Sequence, residues 1–211
     1  MASRDSLRGL VAQSMSGNKA PATTYNRVFL PGSYTWTAPD SGYYRIAQWG
    51  TGNYGSAPNG GPSGAHAQTV VPITGGQAVA IAVSSGNMAS PGDTTVTLPD
   101  GRVVTTTSAS TTVPGTATGG DINLNGSAGG VGVSGAGTAG LGTAGGVGGP
   151  GDATTMGGGA GAPGYGYYPG GNGADGSTGF PGQTPGAGGR SGASLGGHGL
   201  VIIERVYSSV A

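Results

Sequence analysis

Glycine at every third position constrains this chain more than any other feature. In GGNGADGSTGFPGQTPGAGG, residues 170–189, it recurs at Gly170, Gly173, Gly176, Gly179 and Gly182, and the register then fails at Pro185. Shorter runs stand at 126, 129, 132 and 135, at 142, 145, 148 and 151, at 158, 161 and 164, and at 186, 189 and 192, and most of the breaks shift the register. Three residues per turn is the period of the extended left-handed polyproline II helix, which rises about 3.1 Å per residue and makes no hydrogen bonds within itself. Its N–H and C=O groups must find partners on other segments, because an unpaired backbone group is costly to bury. Glycine at each third position leaves one edge bare of side chains, so another backbone can close in on it. Collagen uses such an edge to join three chains, but the longest run here is short for a triple helix. The repeat predicts short rods of a single chain, folded back and packed side by side, with turns where the register breaks. A collagen-like trimer and a flexible spacer are the competing readings. A spacer would be continuous and rich in Ser, whereas this region is punctuated by AGTAGL, DATTMGG and YGYYP.

Upstream of residue 115 the texture changes to short runs rich in β-branched and aromatic residues. Arg27–Leu30, Ser33–Ala38, Tyr43–Trp49, Gln68–Ile73, Ala78–Val83, Thr94–Leu98 and Arg102–Thr107 read as strands. Pro31-Gly32, Pro39-Asp40-Ser41-Gly42 and Pro99-Asp100-Gly101 punctuate them, the last as a hairpin turn. After the glycine-rich region comes Leu200-Val201-Ile202-Ile203, the most apolar run in the chain, continuing to Tyr207. A strand this apolar needs burial, and the upstream strands are where it can find it. The glycine-rich region is then an insertion ahead of a closing strand. The expected fold is mainly β plus polyglycine II. Residues 25–114 form a small antiparallel β sandwich, closed by the strand 199–207. Residues 115–198 form an inserted bundle of polyproline-II-like helices. Tyr25, Tyr34, Trp36, Tyr43, Tyr44 and Trp49 are the aromatic core candidates, and His66 and His198 are expected at the sandwich edge.

Residues 1–24 read as a docking helix and linker. Ser3 is a candidate N-cap, Leu7, Leu10, Val11 and Met15 fall on one face, and Gly17 can end the helix. Gly9 inside it costs roughly 1 kcal/mol relative to Ala, so the helix needs a surface to pack on. The N-terminus has no uninterrupted apolar stretch of the kind found in secretory signals, and no run of about 18 apolar residues is present.

The chemistry-bearing residues are few. Charged residues are 8% of the 211-residue chain, the formal net charge is +0, and Lys19 is the sole lysine, which removes the electrostatic case for nucleic acid. There is no cysteine, hence no disulfide and no thiolate metal site. The acidic residues sit in turn-like contexts, where Asp caps its own backbone, and no phosphate-binding glycine motif is present. The reading is of a protein without enzymatic activity, catalytic residues, metal or cofactor. The functional candidates are Tyr165, Tyr167, Tyr168 and Pro169, aromatic residues at a break in a glycine run, hence at a rod end. A tip there exposes aromatic area at low entropic cost. If rods alternate in direction, Ala136–Leu141, including Thr138 and Leu141, belongs to the same end. The competing role for the tyrosines is to seal the bundle. An ice-binding face is a weaker reading, because Thr138, Thr143, Thr154, Thr155 and Thr178 do not recur in one triplet phase.

Two stretches carry a family resemblance. SYTWTAPDSGYYRIAQWGTG, residues 33–52, resembles the opening of the glycine-rich domains of phage tail proteins, and GGHGLVIIERVY, residues 196–207, resembles their closing strand. The triplet interior is similar to the glycine-rich tail-fibre tip adhesins of T-even-like phages. The resemblance spans roughly residues 29–207. It implies polyglycine II helices packed as a sandwich, with variable loops at the far end that touch an outer-membrane protein or polysaccharide receptor. It also implies a virion protein, at a tail-fibre tip or spike, docked on another virion protein through its N-terminal segment. A homo-oligomer, such as a trimer, suits that setting. The alternative within the same setting is a structural tail, spike or decoration component that binds no host.

Overall fold

The computed structural model describes residues 26–54, 59–86, 92–110, 112–130, 160–165, 170–173, 182–189 and 195–207. Among these the chain is mainly β and contains no helix. The strands are β1 (Asn26–Phe29), β2 (Gly32–Thr37), β3 (Gly42–Trp49), β4 (His66–Ile73), β5 (Ala78–Val83), β6 (Thr94–Thr97), β7 (Val103–Thr106), β8 (Ala117–Thr118), β9 (Ile122–Leu124) and β10 (Leu200–Tyr207). They form two five-stranded sheets in the orders β1-β10-β3-β4-β9 and β2-β5-β6-β7-β8, and every pairing is antiparallel. The helix expected over residues 3–16, with Leu7, Leu10, Val11 and Met15, lies outside the described residues.

Alternation along the strands sets the inner faces. In β5 the side chains of Val79, Ile81 and Val83 are buried while Ala78 and Ala80 are exposed, the period of two that a half-buried strand requires. Both sheets feed one buried cluster: Tyr44, Ile46, Val71, Ile73, Val201 and Ile203 from the first, and Trp36, Val79, Ile81, Val96 and Val104 from the second. Trp36 and Tyr44 meet edge to face at 5.2 Å, and the Tyr44 hydroxyl donates to the Asp40 carbonyl at 2.8 Å. The terminal strand lies inside its sheet, as its composition demands: β10 pairs with β1 on one side and β3 on the other, and Val201 and Ile203 are fully buried. Tyr34, expected in the core, is 39% exposed at the open end of β2, its ring beside Phe29.

Two short strands, β8 and β9, were not anticipated from sequence. They are joined across Gly119, whose φ of +79° favours glycine. Asp121 fixes this corner by accepting from the Thr69 hydroxyl and the Val70 N–H, both at 2.8 Å, and from Arg102 Nη1 at 3.3 Å. Burial would raise its pKa, but the Val70 N–H, the Thr69 hydroxyl and Arg102 together hold the carboxyl below the usual carboxylate range.

Outside the sheets the described glycine-rich segments are bonded laterally to one another. Segment 60–64 shows the pattern. Gly60 and Ser63 donate to Gly130 and Ser127 at 2.7 and 2.9 Å, and Gly61 and Gly64 donate to Gly189 and Gly186 at 2.6 and 2.8 Å. Every third residue thus donates to the same neighbour, and Pro62, in the third phase, has no N–H to give. The segment's carbonyls accept from Asn53, Gly115 and Ala160 at 3.1, 3.0 and 2.9 Å. A sheet strand bonds two neighbours in one plane, whereas these bonds leave the segment in more than two directions. Close approach requires glycine here. A Cβ on Gly61 would overlap the Asn53 carbonyl oxygen, and one on Gly188 would overlap that of Gly61.

Candidate functional site

Two of the described glycine-rich segments, 160–165 and 182–189, pack on the outward face of the β1-β10-β3-β4-β9 sheet. At the glycine-proximal end of β3 the outward residues are Ala47 and Trp49, flanked by Leu200 and Ile202 of β10. Trp49 and Ala47 form a second buried cluster with Ala162 and Ala187 of the glycine-rich segments, against which Leu200 and Ile202 pack. Side chains no larger than methyl on that side let the backbone lie close to the sheet. The Trp49 indole N–H donates to the Pro163 carbonyl at 2.8 Å, fastening segment 160–165 to β3.

His66 completes this joint. It opens β4 directly opposite Trp49. The two rings are 4.5 Å apart between centroids, and the histidine is fully buried. Its Nδ1 lies 3.1 Å from the Gln48 carbonyl, and Nε2 has no hydrogen-bond partner. Burial pulls its pKa down to about 4, opposed in part by the Gln48 carbonyl. The ring is neutral at pH 7, with Nδ1–H donating to Gln48. The expectation of an edge position is therefore corrected. His66 is an interior residue, because the glycine-rich segments cover the sheet face it stands on. His198 is half-buried, and its Nδ1 accepts from the Gly86 N–H at 2.9 Å.

Of the sequence-derived binding residues, Tyr165 is described and is 48% exposed. It stands two positions beyond Pro163, the residue bonded to Trp49, so its backbone is anchored just behind an exposed aromatic ring. Segment 170–173 runs alongside: the Ala162 N–H donates to Gly171 at 2.9 Å, and Gly171 in turn donates to Pro185 at 2.9 Å. The stretches that carry Tyr165 and Gly170 are therefore hydrogen-bonded neighbours. Tyr167, Tyr168, Pro169, Thr138 and Leu141 lie outside the described residues.

Other features of the described surface carry little chemistry. A depression of about 200 Å³ is lined by Asn59, Gly60, Pro62, Thr112, Ala128 and Gly129, none of them ionisable. Among the described residues no three His, Cys, Asp or Glu side chains gather as metal ligands would. Asp40 is bridged to Arg205 at 3.1 Å and Glu204 to Arg45 at 2.9 Å. The joint at Trp49 and His66 was not legible as a site, because nothing in the sequence tells which outward positions the glycine-rich segments will cover. Comparison with models of known protein families gives no match, and neither does comparison with curated proteins.

Proposed function

We propose that the chain is a non-enzymatic phage virion protein that attaches to a host cell-surface receptor, an outer-membrane protein or polysaccharide. In this reading the two sheets are a β sandwich, and the glycine-rich segments are a bundle of polyglycine II helices laid on it. Loops at one end of the bundle, with Tyr165, Tyr167, Tyr168 and Pro169 foremost and Thr138 and Leu141 beside them, touch the receptor. The N-terminal segment, through Leu7, Leu10, Val11 and Met15, docks on another virion protein.

One observation carries the reading. Donors three residues apart in segment 60–64 reach the same neighbour, first Gly130 and Ser127, then Gly189 and Gly186. That recurrence is what a helix of three residues per turn produces, and it supports the family resemblance on which the functional reading rests. The physical benefit to an adhesin is specific. A framework held by backbone bonds places almost no demand on side chains, so loop sequences are free to change with the receptor. Tyr165 supports the tip, being exposed on a backbone anchored close by at Pro163.

The test is binding of the labelled protein to intact bacterial cells that the parent particle infects. The triple variant Tyr165→Ala, Tyr167→Ala, Tyr168→Ala is expected to lose saturable binding while its circular dichroism and melting stay those of the parent. Undiminished binding by the variant refutes the tip assignment. If the parent protein binds no such cell, the structural virion component is the better reading.

A further inference from the structure

Asparagine is followed directly by glycine at Asn59-Gly60, Asn125-Gly126 and Asn172-Gly173. All three asparagines are exposed. The dipeptide carries a reaction of its own. A glycine nitrogen that has lost its proton can attack the preceding side-chain amide carbon, because no Cβ on the glycine obstructs the approach. Loss of that proton is also the first step of amide hydrogen exchange, and it is blocked while the N–H is bonded inside folded structure. The three glycine amides differ at this step. Gly60 donates to the Gly130 carbonyl at 2.7 Å, and Gly126 donates to the Gly115 carbonyl at 2.9 Å. Asn125 is held further, its Oδ1 accepting from the Ala117 N–H at 3.2 Å. Among the described residues no carbonyl accepts from the Gly173 N–H. The bonds that hold this stretch fall on other atoms: Gly171 donates to the Pro185 carbonyl and the Gln183 N–H donates to the Asn172 carbonyl, both at 2.9 Å. They fix the backbone as far as the Asn172 carbonyl and do not engage the next nitrogen. Gly60 is buried, whereas Gly173 is only half-buried.

We propose that Asn172 is a site of spontaneous covalent modification, converting through a cyclic imide with Gly173 to aspartate and isoaspartate. The Gly173 nitrogen, its proton passed to solvent, forms a bond to Asn172 Cγ. The Cγ–Nδ2 bond breaks, and Nδ2 takes a proton from solvent and leaves as ammonia. Water then opens the imide at one of its two carbonyls. Opening at Cγ gives aspartate. Opening at the main-chain carbon gives isoaspartate, which lengthens the chain by a methylene between Asn172 and Gly173. No oxidant, reductant or cofactor enters either step. Each product puts a new carboxylate into a chain of formal net charge +0. The chemistry holds whatever the protein binds; under the receptor reading it falls in the stretch hydrogen-bonded to the one that carries Tyr165.

The parent protein is itself the test. It is held at about pH 8, folded in buffer and unfolded in guanidinium chloride. Conversion at each asparagine is followed by peptide mass spectrometry, and isoaspartate by enzymatic methylation. In the unfolded chain the shared dipeptide should make the three rates comparable. Folding is expected to slow Asn59 and Asn125 at least about tenfold, the protection that one hydrogen bond can confer, and to slow Asn172 less than about threefold. Asn172→Gln, a change at an exposed position, is expected to remove the acidic form that ion exchange resolves as the folded parent ages. Equal rates at the three sites of the folded protein, Asn172 slowed by folding as much as the other two, or an acidic form that accumulates undiminished in Asn172→Gln each overturn the proposal.

Discussion

Lowering the pH should loosen the joint between the glycine-rich segments and the sheet, and the size of the effect follows from His66. The ring is fully buried against Trp49, with Nε2 unpartnered, and its pKa falls from 6.5 to about 4. The unfolded chain binds a proton at this residue below about pH 6.5; the folded chain resists until about pH 4. Between those values the unfolded state holds more protons, so stability falls as pH falls. The stabilisation is fully present above pH 6.5. Linkage gives a loss of about 2 kcal/mol by pH 5 and about 3 kcal/mol by pH 4, with little further change from this residue below that. Carboxylates also titrate toward the lower end, so the informative quantity is the difference from His66→Gln, which cannot titrate. Urea unfolding followed by tryptophan fluorescence at pH 7, 6, 5 and 4 measures it, Trp49 being the local reporter. The parent protein should lose about 2 kcal/mol more than the variant between pH 7 and 5. Parallel losses in both proteins, or a His66 proton resonance titrating near pH 6.5, would refute the reasoning.

Other consequences can be checked by the same unfolding assay. Gly188→Ala drives a Cβ into the Gly61 carbonyl and should cost more than about 3 kcal/mol or detach the segment, whereas Gly92→Ala, with nothing within 4 Å of the added atom, should stay within about 0.5 kcal/mol. Trp49→Phe keeps most of the packing but leaves the buried Pro163 carbonyl without its donor, a loss of about 1–3 kcal/mol. Ile203→Ala in the fully buried centre of β10 should cost about 2–5 kcal/mol, which would establish the C-terminal strand as part of the core.

The strands were legible because their determinants are local. Alternation in AVAIAV and the Pro99-Asp100-Gly101 turn specify β5 and the β6–β7 hairpin without reference to the rest of the chain. The burial of Leu200–Tyr207 was legible for a different reason: an apolar run of that length has few places to go. β8 and β9 escaped notice because two- and three-residue strands have no periodicity to detect, and Asp121, which secures them, looks like any turn aspartate. Lateral bonding of glycine segments was foreseeable from the triplets, but the partners were not. Nothing local tells Gly61 to meet Gly189 rather than another glycine, since the bonding groups are identical backbone amides. For the same reason His66 read as an edge residue. Its burial depends on segments nearly a hundred residues downstream and beyond, anchored through Trp49 to Pro163.

The account depends most on bonding in segment 60–64, where every third donor reaches the same neighbour. Through-hydrogen-bond scalar couplings in the isotope-labelled protein measure it. They should connect the Gly61 and Gly64 amides to the Gly189 and Gly186 carbonyls, and the Gly60 and Ser63 amides to those of Gly130 and Ser127, with slow hydrogen exchange at all four donors. Couplings running to one neighbour in a strand-like alternation, or amides exchanging as fast as in an unstructured peptide, would contradict the account.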